Sequence, residues 1–254
     1  MPGLIGVRDS RQMRQIRANA EGVPVISFVE GVREGRPWAD LVEVLGPEAD
    51  DLIMNELSGW VVSGSTELGE RLLARGTRLV RHAHTMVCDL TDPGAWPAGS
   101  GDAPDGFAFL PVREVTPEDI LPSWIAAYPP GHPDHHPRDS DKAFREELVP
   151  LMAGEIIGEL LRCSGVAVDE SGAVVAGVLV NRWNGMAWIG DVFRHPGKSP
   201  RGLGASLLRF VQIRAAEDGF AEMGLAVTYT NPAKKVYARL GFKITNTAMS
   251  VIIP

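Results

Sequence analysis

A strand, a glycine-containing loop and an apolar helix follow one another near the middle of the second half of the chain, and this order constrains the fold most strongly. The stretch WIGDVF (188–193) is typical of a strand, and KSPRGLGASLL (198–208) places Gly202 and Gly204 ahead of an apolar run. Glycine lets the backbone approach a ligand closely because it has no Cβ, and a helix N-terminus attracts anions. The segment therefore predicts a turn that binds a phosphate group.

Two common phosphate-binding motifs do not fit this segment. Gly197 and Gly202 have the first spacing of a P-loop, but Leu203 and Gly204 stand where that motif needs Lys and Ser or Thr. The dinucleotide-binding fingerprint needs a third glycine at the position of Leu207, and it normally lies in the first strand–helix–strand unit of a domain. The loop therefore predicts another way of binding an anion, although a nucleotide stays an alternative ligand.

Bulk composition limits the classes of partner. The 254 residues are 44% apolar, which suffices for one large core or two small ones. A net charge of −7 argues against a nucleic-acid partner. No apolar run reaches the about 20 residues that cross a bilayer, and the first residues lack the apolar region of a signal peptide. The sequence predicts a cytoplasmic protein without a membrane partner.

Cysteine and histidine usage predicts no metal site. Cys88 and Cys163 match no zinc spacing and cannot form a disulfide framework, so we expect two buried, reduced thiols. His132, His135 and His136 lie in one irregular loop, but adjacent histidines rarely converge on one ion, and no carboxylate or cysteine spacing supports zinc there.

A segment rich in Pro, Gly, Asp and Ser, TDPGAWPAGSGDAPDG (91–106), predicts a linker because it has no apolar period. It divides the chain into an N-terminal domain (1–90) and a C-terminal domain (107–254). Strand-like and helix-like stretches alternate in both parts, which predicts a mixed α/β fold class. The elements expected are a strand over 23–32, a short helix over 37–45, a helix opened by Thr116, a helix over 143–161, and three strands with turns at Glu170–Gly172 and Asn184–Gly185.

The two parts of the chain contain similar stretches. With one inserted residue, Gly59–Gly76 (GWVVSGSTELGERLLARG) aligns with Gly224–Gly241 (GLAVTYTNPAKKVYARLG), and each stretch is followed by an alternating strand. The N-terminal stretch has Leu73 opposite Tyr237 and no glycine loop before it. We interpret it as a degraded copy without chemistry of its own. Two unrelated strand–helix–strand units are the alternative interpretation.

From about Phe107 to Ile253, the chain resembles the GNAT superfamily of acyl-CoA N-acyltransferases. The family has a strand, a Pro and a Gln/Arg-x-x-Gly-x-Gly/Ala turn, and this chain has Pro196 and then Ser199-Pro200-Arg201-Gly202-Leu203-Gly204. NPAKKVYARLGF (231–242) is similar to the family's Asn-x-x-Ala-x-x-x-Tyr-x-x-x-Gly-Phe segment. Ser199 departs from the family's Gln or Arg. The resemblance implies the GNAT fold, with a smaller GNAT-like N-terminal domain.

The resemblance implies acetyl-CoA as co-substrate, held in a gap between two splayed parallel strands. Its pantetheine is expected against one strand and its pyrophosphate against the glycine loop. The residues implied in binding it are Val192, Phe193, Arg194, Lys198, Ser199, Arg201, Gly202, Leu203, Gly204, Ala205 and Asn231.

The implied catalytic residues are Tyr237 and Asp191. Tyr237 would protonate the departing thiolate, and Asp191 would remove a proton from the amine. A core tyrosine and a solvated edge carboxylate are the alternative interpretations of these two residues.

The acceptor is expected at the loop after the first helix, where Tyr128, Asp134 and Asp139 would suit a cationic amine. The sequence thus predicts an N-acetyltransferase that acts on a primary amine of a small molecule or peptide. A catalytically silent acyl-CoA-binding sensor or regulator is the alternative, and an oligomer stays open.

Overall fold

The computed structural model describes residues 13–33, 35–92, 96, 101–135 and 139–254. The strands are β1 (Arg14–Ala18), β2 (Pro24–Arg33), β3 (Arg36–Val44), β4 (Val61–Ser65), β5 (Arg78–Asp89), β6 (Phe107–Pro111), β7 (Gly165–Asp169), β8 (Val174–Trp183), β9 (Met186–Arg194), β10 (Glu222–Thr228) and β11 (Lys243–Ile252). The helices are α1 (Ala49–Glu56), α2 (Thr66–Ala74), α3 (Pro117–Ala126), α4 (Ser140–Ala143), α5 (Val149–Met152), α6 (Leu203–Glu217) and α7 (Lys234–Arg239). The predicted mixed α/β fold class is confirmed.

The chain divides into two compact units that do not follow the predicted linker. Unit 1 holds the residues up to His84 together with Thr245–Pro254, and unit 2 holds Thr85–Ile244. The division cuts β5 and β11, so the last strand of the chain completes the unit that the N-terminal residues begin. The predicted boundaries at 90 and 107 were based on composition. Composition carries no information about which strands pair with one another.

Unit 1 is a sheet in the order β1-β2-β3-β4-β11-β5. Strands β1, β2 and β3 pair antiparallel, β3 and β4 pair parallel, and β11 pairs antiparallel with β4 from Ala248 opposite Ser65 to Ile252 opposite Val61. Helices α1 and α2 add apolar side chains to one core. Met249, Val251 and Ile253 lie buried in that core, so the end of the chain is part of it.

Unit 2 has the strand order β10-β9-β8-β7-β6. Strands β6 to β9 form an antiparallel meander, and β9 and β10 pair parallel. Helix α6 packs on β7, β8 and β9, since Leu203, Leu207 and Val211 are buried in the core cluster with Val178 and Val180. Within the described residues, no helix is both long and apolar enough to cross a membrane.

Most predicted elements of unit 2 are present. Thr116 caps α3 with a reciprocal capping box to Asp119, as its sequence predicts. The turn between β8 and β9 has positive φ at both Asn184 (49°) and Gly185 (78°), the conformation of a tight hairpin turn. The predicted helix over 143–161 is too long, because the helical segment ends at Met152 and Gly154 follows with φ 81°.

The predicted short helix over 37–45 is wrong. These residues lie in β3, which is paired on both sides, with β2 and with β4. Trp38, Ala39 and Asp40 are all buried, and Leu41 has φ 51°, an irregularity that breaks the alternation expected of a strand. The irregular strand thus presents a helix-like spacing of apolar residues. Strand β1 was not predicted.

Candidate functional site

The site starts where β9 and β10 part. Strand β9 pairs with β10 only from Ala187 opposite Met223 to Ile189 opposite Leu225. Against β8, Leu179 lies opposite Asp191 and Val180 opposite Ile189, so Gly190 is an extra residue in β9. Such a bulge bends a strand and redirects its side chains. Beyond it, residues 190–194 have no partner on β10 within the described chain, so β10 does not occupy the hydrogen-bonding groups of this backbone segment.

Packing explains why the bulge holds a glycine. A Cβ at Gly190 would lie 2.7 Å from Ile157 Cδ1 and 2.8 Å from Asn181 Oδ1. Asn181 is fully buried, and its amide donates to the carbonyl oxygens of Leu151 (3.1 Å) and Gly158 (2.8 Å). These bonds hold the segment after α5 against the bulge. Close packing around Gly190 therefore stabilises the bulge at which β9 diverges from β10.

The loop after β9 is tied to β8 by two hydrogen bonds. The His195 N–H and the Ser199 hydroxyl both donate to the carbonyl oxygen of Val175, each at 2.7 Å. Ser199 is buried, and its own N–H donates to the His195 carbonyl. The side chain of Ser199 thus anchors the loop, which is a different role from the pyrophosphate contact that the family resemblance implies for this position.

Helix α6 begins with an open set of backbone donors. Gly202 is the residue before the helix, with φ 98° and no side-chain cap. The N–H groups of Arg201, Gly202 and Gly204 have no acceptor among the described residues. A Cβ at Gly204 would approach no atom more closely than Arg194 Cδ, at 4.0 Å. Free N–H groups at the start of a 15-residue helix can bind an anion.

The remaining predicted donor-site residues surround this helix start in different ways. Arg194, Lys198 and Arg201 are exposed cations. Leu203 and Phe193 are buried, and Phe193 lies directly over Gly177, so these two can contribute only backbone groups. The loop therefore combines open N–H groups with positive charge, as its composition predicts.

Asp191 lies at the bulge and is held by two aromatic side chains. Trp124 Nε1 donates to Asp191 Oδ2 at 2.7 Å, and the Tyr128 hydroxyl donates to Asp191 Oδ1. The Tyr128 oxygen also lies 3.1 Å from the carbonyl oxygen of Val192. Burial, and then the negative charge of Asp191, raise the pKa of Tyr128 well above its ordinary value. The pair keeps its proton on the phenol, and both Asp191 oxygens already accept a hydrogen bond.

Asp134 is held in the same manner from the β10 side. The Thr228 hydroxyl donates to one of its carboxylate oxygens, and Asn231 Nδ2 donates to the other at 2.7 Å. Asn231 is buried, and its Oδ1 accepts the Ala233 N–H at 2.8 Å. Asp134 therefore contacts residues from both ends of the connection between β10 and α7.

Tyr237 lies on α7 and is 9% exposed. Its ring meets Phe242 edge-on at 6.1 Å between centroids, while its hydroxyl makes no hydrogen bond within the described part of the chain. Burial raises the pKa of Tyr237, and the charges of Asp134 and Asp191 raise it further. The phenol is thus a protonated group with an unused donor, under the electrostatic influence of two carboxylates.

The structure brings Tyr128, Asp134, Asp191 and Tyr237 together electrostatically. Asp139 does not share their contacts, because its carboxylate accepts the Lys142 N–H at 2.8 Å and caps α4. Two partners of the site, Trp124 and Thr228, were not among the predicted site residues. Thr228 stands three residues before Asn231 and could have been found by that spacing, whereas no local pattern marks Trp124.

The arrangement of histidine, cysteine and acidic side chains bears on metal binding. Among the residues that the structure describes, no three His, Cys, Asp or Glu side chains are arranged to hold an ion. The nearest approach of His132 to a carboxylate is 3.9 Å, from its Nδ1 to Asp134 Oδ2. His136 lies outside the described residues.

Comparisons with known proteins agree with this architecture. The model of the acetyltransferase (GNAT) family matches residues 118–242. No curated protein matches the sequence significantly. A GCN5-related N-acetyltransferase from Sphaerobacter thermophilus is 18% identical with a TM-score of 0.63, over 98% of this chain and 84% of that one. A GCN5-related N-acetyltransferase from Kribbella flavida is 15% identical with a TM-score of 0.53, over 90% and 86%. A tandem GNAT protein from the clavulanic acid biosynthesis pathway is 14% identical with a TM-score of 0.51, over 94% and 82%.

Proposed function

Because the chain belongs to the GNAT family of acetyltransferases, we propose that it transfers an acetyl group from acetyl-CoA to a primary amine of a small molecule or peptide. The observation that carries the proposal is the open start of α6 beside the unpaired edge of β9. An extended pantetheine can bond to the β9 backbone, and a pyrophosphate can accept from the N–H groups of Arg201, Gly202 and Gly204.

The reaction needs one proton removed and one supplied. The amine nitrogen attacks the thioester carbonyl carbon, the C–N bond forms, and the C–S bond breaks with its electron pair left on sulfur. We assign Tyr237 as the acid that protonates the thiolate, a contribution of about 10²–10⁴-fold in general acid catalysis. Its unused hydroxyl supports this assignment, and its raised pKa keeps the phenol protonated at neutral pH.

Asp191 stays our candidate for the base that removes the amine proton. It lies at the bulge of β9, beside the proposed thioester position. The hydrogen bonds from Trp124 and Tyr128 weigh against the role, because an amine or a water would have to use a second lone pair of an occupied oxygen. The same observation favours a second candidate function, an acyl-CoA-binding protein that does not turn over.

The proposed roles of Asn231, Tyr128 and Asp134 differ from those that the sequence implied. The Tyr128 hydroxyl donates to Asp191, and Asn231 Nδ2 donates to Asp134. We therefore propose that Tyr128 forms the wall of the acceptor site and that Asn231, whose Oδ1 accepts the Ala233 N–H, supports α7. Asp139 stays an acceptor-site prediction from sequence alone. The acceptor as a cationic amine, and the cytoplasmic location, likewise stay predictions.

We further propose that the N-terminal part of the chain (1–90) is a degraded GNAT-like copy with a structural role. After the irregularity at Leu41, β3 resumes its pairing with β4 at Val42 opposite Gly64, so no gap opens there. Glu48 precedes helix α1, and Asp50 and Asp51 lie in its first turn, so the negative charge at this helix start disfavours phosphate. One molecule of CoA should bind per chain in calorimetry, and a stoichiometry of two would contradict this part.

Ligand-induced stabilisation tests the main proposal. A ligand at 100 times its dissociation constant raises the free energy of unfolding by about 2.7 kcal/mol. We expect acetyl-CoA, but not ATP, to raise the melting temperature, and thiol release over a panel of amines to identify the acceptor. No shift at millimolar acetyl-CoA would overturn the proposal, and a shift without thiol release from any amine would favour the silent binding protein.

A further inference from the structure

The segment Tyr128–His135, which we call the strap, is built to hold a fixed shape. It contains Pro129, Pro130 and Pro133, and proline restricts the backbone. The His132 N–H donates to the Pro129 carbonyl (2.9 Å), the His135 N–H to the His132 carbonyl (2.8 Å), and the Asp134 N–H to His132 Nδ1 (3.1 Å). The position of one end of the strap therefore determines the position of the other.

The two ends of the strap bind the two strands that part at the site. Tyr128 contacts Asp191 and the Val192 carbonyl on β9. Asp134 contacts Thr228, the last residue of β10, and Asn231, in the turn that leads to α7. The strap thus joins the strand proposed to hold the donor with the turn that precedes the proposed acid.

Asn231 passes this constraint to the helix. Its Nδ2 is occupied by Asp134, so its Oδ1 faces the N–H of Ala233, the residue before α7. The Tyr237 N–H bonds to the Ala233 carbonyl at 3.1 Å, one turn away. With only six residues, α7 has little internal cooperativity, and its direction depends on how it starts.

We propose that Asp134 is a positioning residue, which aims the Tyr237 hydroxyl by fixing Asn231 and through it the start of α7. This proposal rests on the proposed function, in which Tyr237 supplies a proton. It differs from the acceptor-binding role predicted from sequence, because the two carboxylate oxygens of Asp134 accept hydrogen bonds from Thr228 and Asn231 and not from an amine.

A double-mutant cycle tests this role. Asp134→Asn keeps the shape of the side chain but presents an N–H to one of its two donor partners, so at least one bond is lost. We expect kcat to fall by about tenfold or more, since small misplacements of a reacting group cost up to about 10²-fold. The dissociation constant of acetyl-CoA should stay within about twofold. In the Tyr237→Phe background, Asp134→Asn should cost less than about twofold, because residues that act as a unit are not additive.

Controls separate positioning from general damage. Glu146→Gln makes the same chemical change at an exposed surface ion pair with Lys142 and should leave kcat within about twofold. Thr228→Val removes one of the two hydrogen bonds to Asp134 and leaves the bond from Asn231. Its loss of kcat should therefore be smaller than that of Asp134→Asn, and it should also vanish in the Tyr237→Phe background. If Asp134→Asn does not fold, as judged by circular dichroism, the Thr228→Val cycle decides the question.

Each contrary outcome has a distinct meaning. Losses that multiply in the double variant would overturn the positioning role, as would a raised KM for the amine at unchanged kcat, which marks an acceptor contact. A Tyr237→Phe variant with the wild-type rate would overturn both the acid role in the proposed function and the inference that rests on it. This single variant is measured first, before the double variants are made.

Discussion

Gly202 and Gly204 stand one residue apart, but the structure requires glycine at them for different reasons. Gly202 has φ 98°, a left-handed conformation that side chains disfavour, although no atom lies within 4 Å of a Cβ placed there. Gly204 has ordinary helical geometry, and its added Cβ would meet only Arg194 Cδ, at 4.0 Å. The protein itself therefore needs glycine at position 202, whereas at position 204 the space is available to a ligand.

Gly204→Val should remove acetyl-CoA binding and leave the fold intact. The valine side chain would fill the space proposed for the pyrophosphate, while a β-branched residue in the first helical turn costs well under about 1 kcal/mol of stability. Calorimetry with acetyl-CoA and a thermal melt of the free protein measure the two effects. Gly202→Val is the matched control, and it should lower stability by about 1–2 kcal/mol through its backbone conformation. An unchanged affinity in Gly204→Val would mean that no ligand occupies this space.

Tyr237→Phe should lower kcat by at least about tenfold at nearly unchanged acetyl-CoA affinity. The substitution deletes one proton donor but keeps the ring that packs against Phe242, and general acid catalysis is worth about 10²–10⁴-fold. Steady-state kinetics and a binding isotherm give the two quantities. If Tyr237→Phe is as fast as the wild type while Asp191→Asn is inactive, the tyrosine only packs and catalysis depends on the base.

The pH dependence of turnover should show no loss from Tyr237 below about pH 10, the ordinary pKa of tyrosine. Burial and then the charges of Asp134 and Asp191 raise this pKa. Tyr128 interacts electrostatically with the same three residues. A raised pKa keeps the phenol protonated to higher pH, so its donor is lost only above that value. Asp134→Asn should lower the pKa and move the loss of kcat to lower pH. A decline of kcat below about pH 9 that disappears in Tyr237→Phe would contradict this assignment, because the ordinary tyrosine pKa is already higher.

At the scale of elements, the contrast between the two parallel strand pairs separates a candidate site from a structural scaffold. Strands β9 and β10 pair at three positions and then part, whereas β3 and β4 pair on both sides of their irregularity. The irregularity of β3 lies in its pairing with β4, whereas the bulge of β9 at Gly190 lies in its pairing with β8. The two pairs also differ in the charge of the segment that follows, because β9 leads into a loop with the exposed cations Arg194, Lys198 and Arg201, whereas β3 leads into the acidic start of α1.

Acetyl-CoA should slow amide hydrogen exchange in β9 and at the start of α6, because both would gain hydrogen bonds to the ligand. Peptides that cover residues 190–205 report this protection by mass spectrometry. Peptides from 36–44 and 61–65, which cover β3 and β4, serve as the internal comparison and should not change. Equal protection of both sets would indicate general stabilisation of the protein instead of a bound donor at this edge.

At the scale of the whole molecule, the last strand of the chain belongs to the unit that the N-terminal residues begin. The last strand leaves unit 2 after Ile244 and enters unit 1, where it pairs with β4. The Gly59 N–H donates to the Ile253 carbonyl at 3.1 Å, and the Ile253 N–H donates to the Trp60 carbonyl at 2.9 Å. Unit 1 is therefore built from both the N-terminal and the C-terminal parts of the sequence, whereas unit 2 is continuous from Thr85 to Ile244.

A chain that ends at Ile244 should lose the folded state of unit 1. The truncation removes Met249, Val251 and Ile253 from the core, and burying each such side chain contributes about 1.5–3 kcal/mol. The sum is comparable to the whole stability of a small domain. Hydrogen exchange in residues 24–33 should approach that of an unfolded chain. Wild-type protection of β2 in the truncated protein would show that β11 is dispensable.

The sequence alone determined the features that depend on neighbouring residues. The glycine loop before α6, the capping box at Thr116 and the hairpin turn at Asn184 are local, because backbone conformation and capping involve residues a few positions apart. The family resemblance was carried by the same kind of short motif, and the match over residues 118–242 confirms it.

Tertiary structure decided the features that depend on residues far apart in the chain. The pairing of β11 with β4 joins positions nearly two hundred residues apart, and no local pattern encodes it. Strand β3 looked helical because its irregularity at Leu41 alters the spacing of its apolar residues. Asp134 and Asp191 became partners of Tyr237 only when the strap and the two strands met. Local propensity carries no information about such contacts, since they arise from packing that forms when distant segments come together.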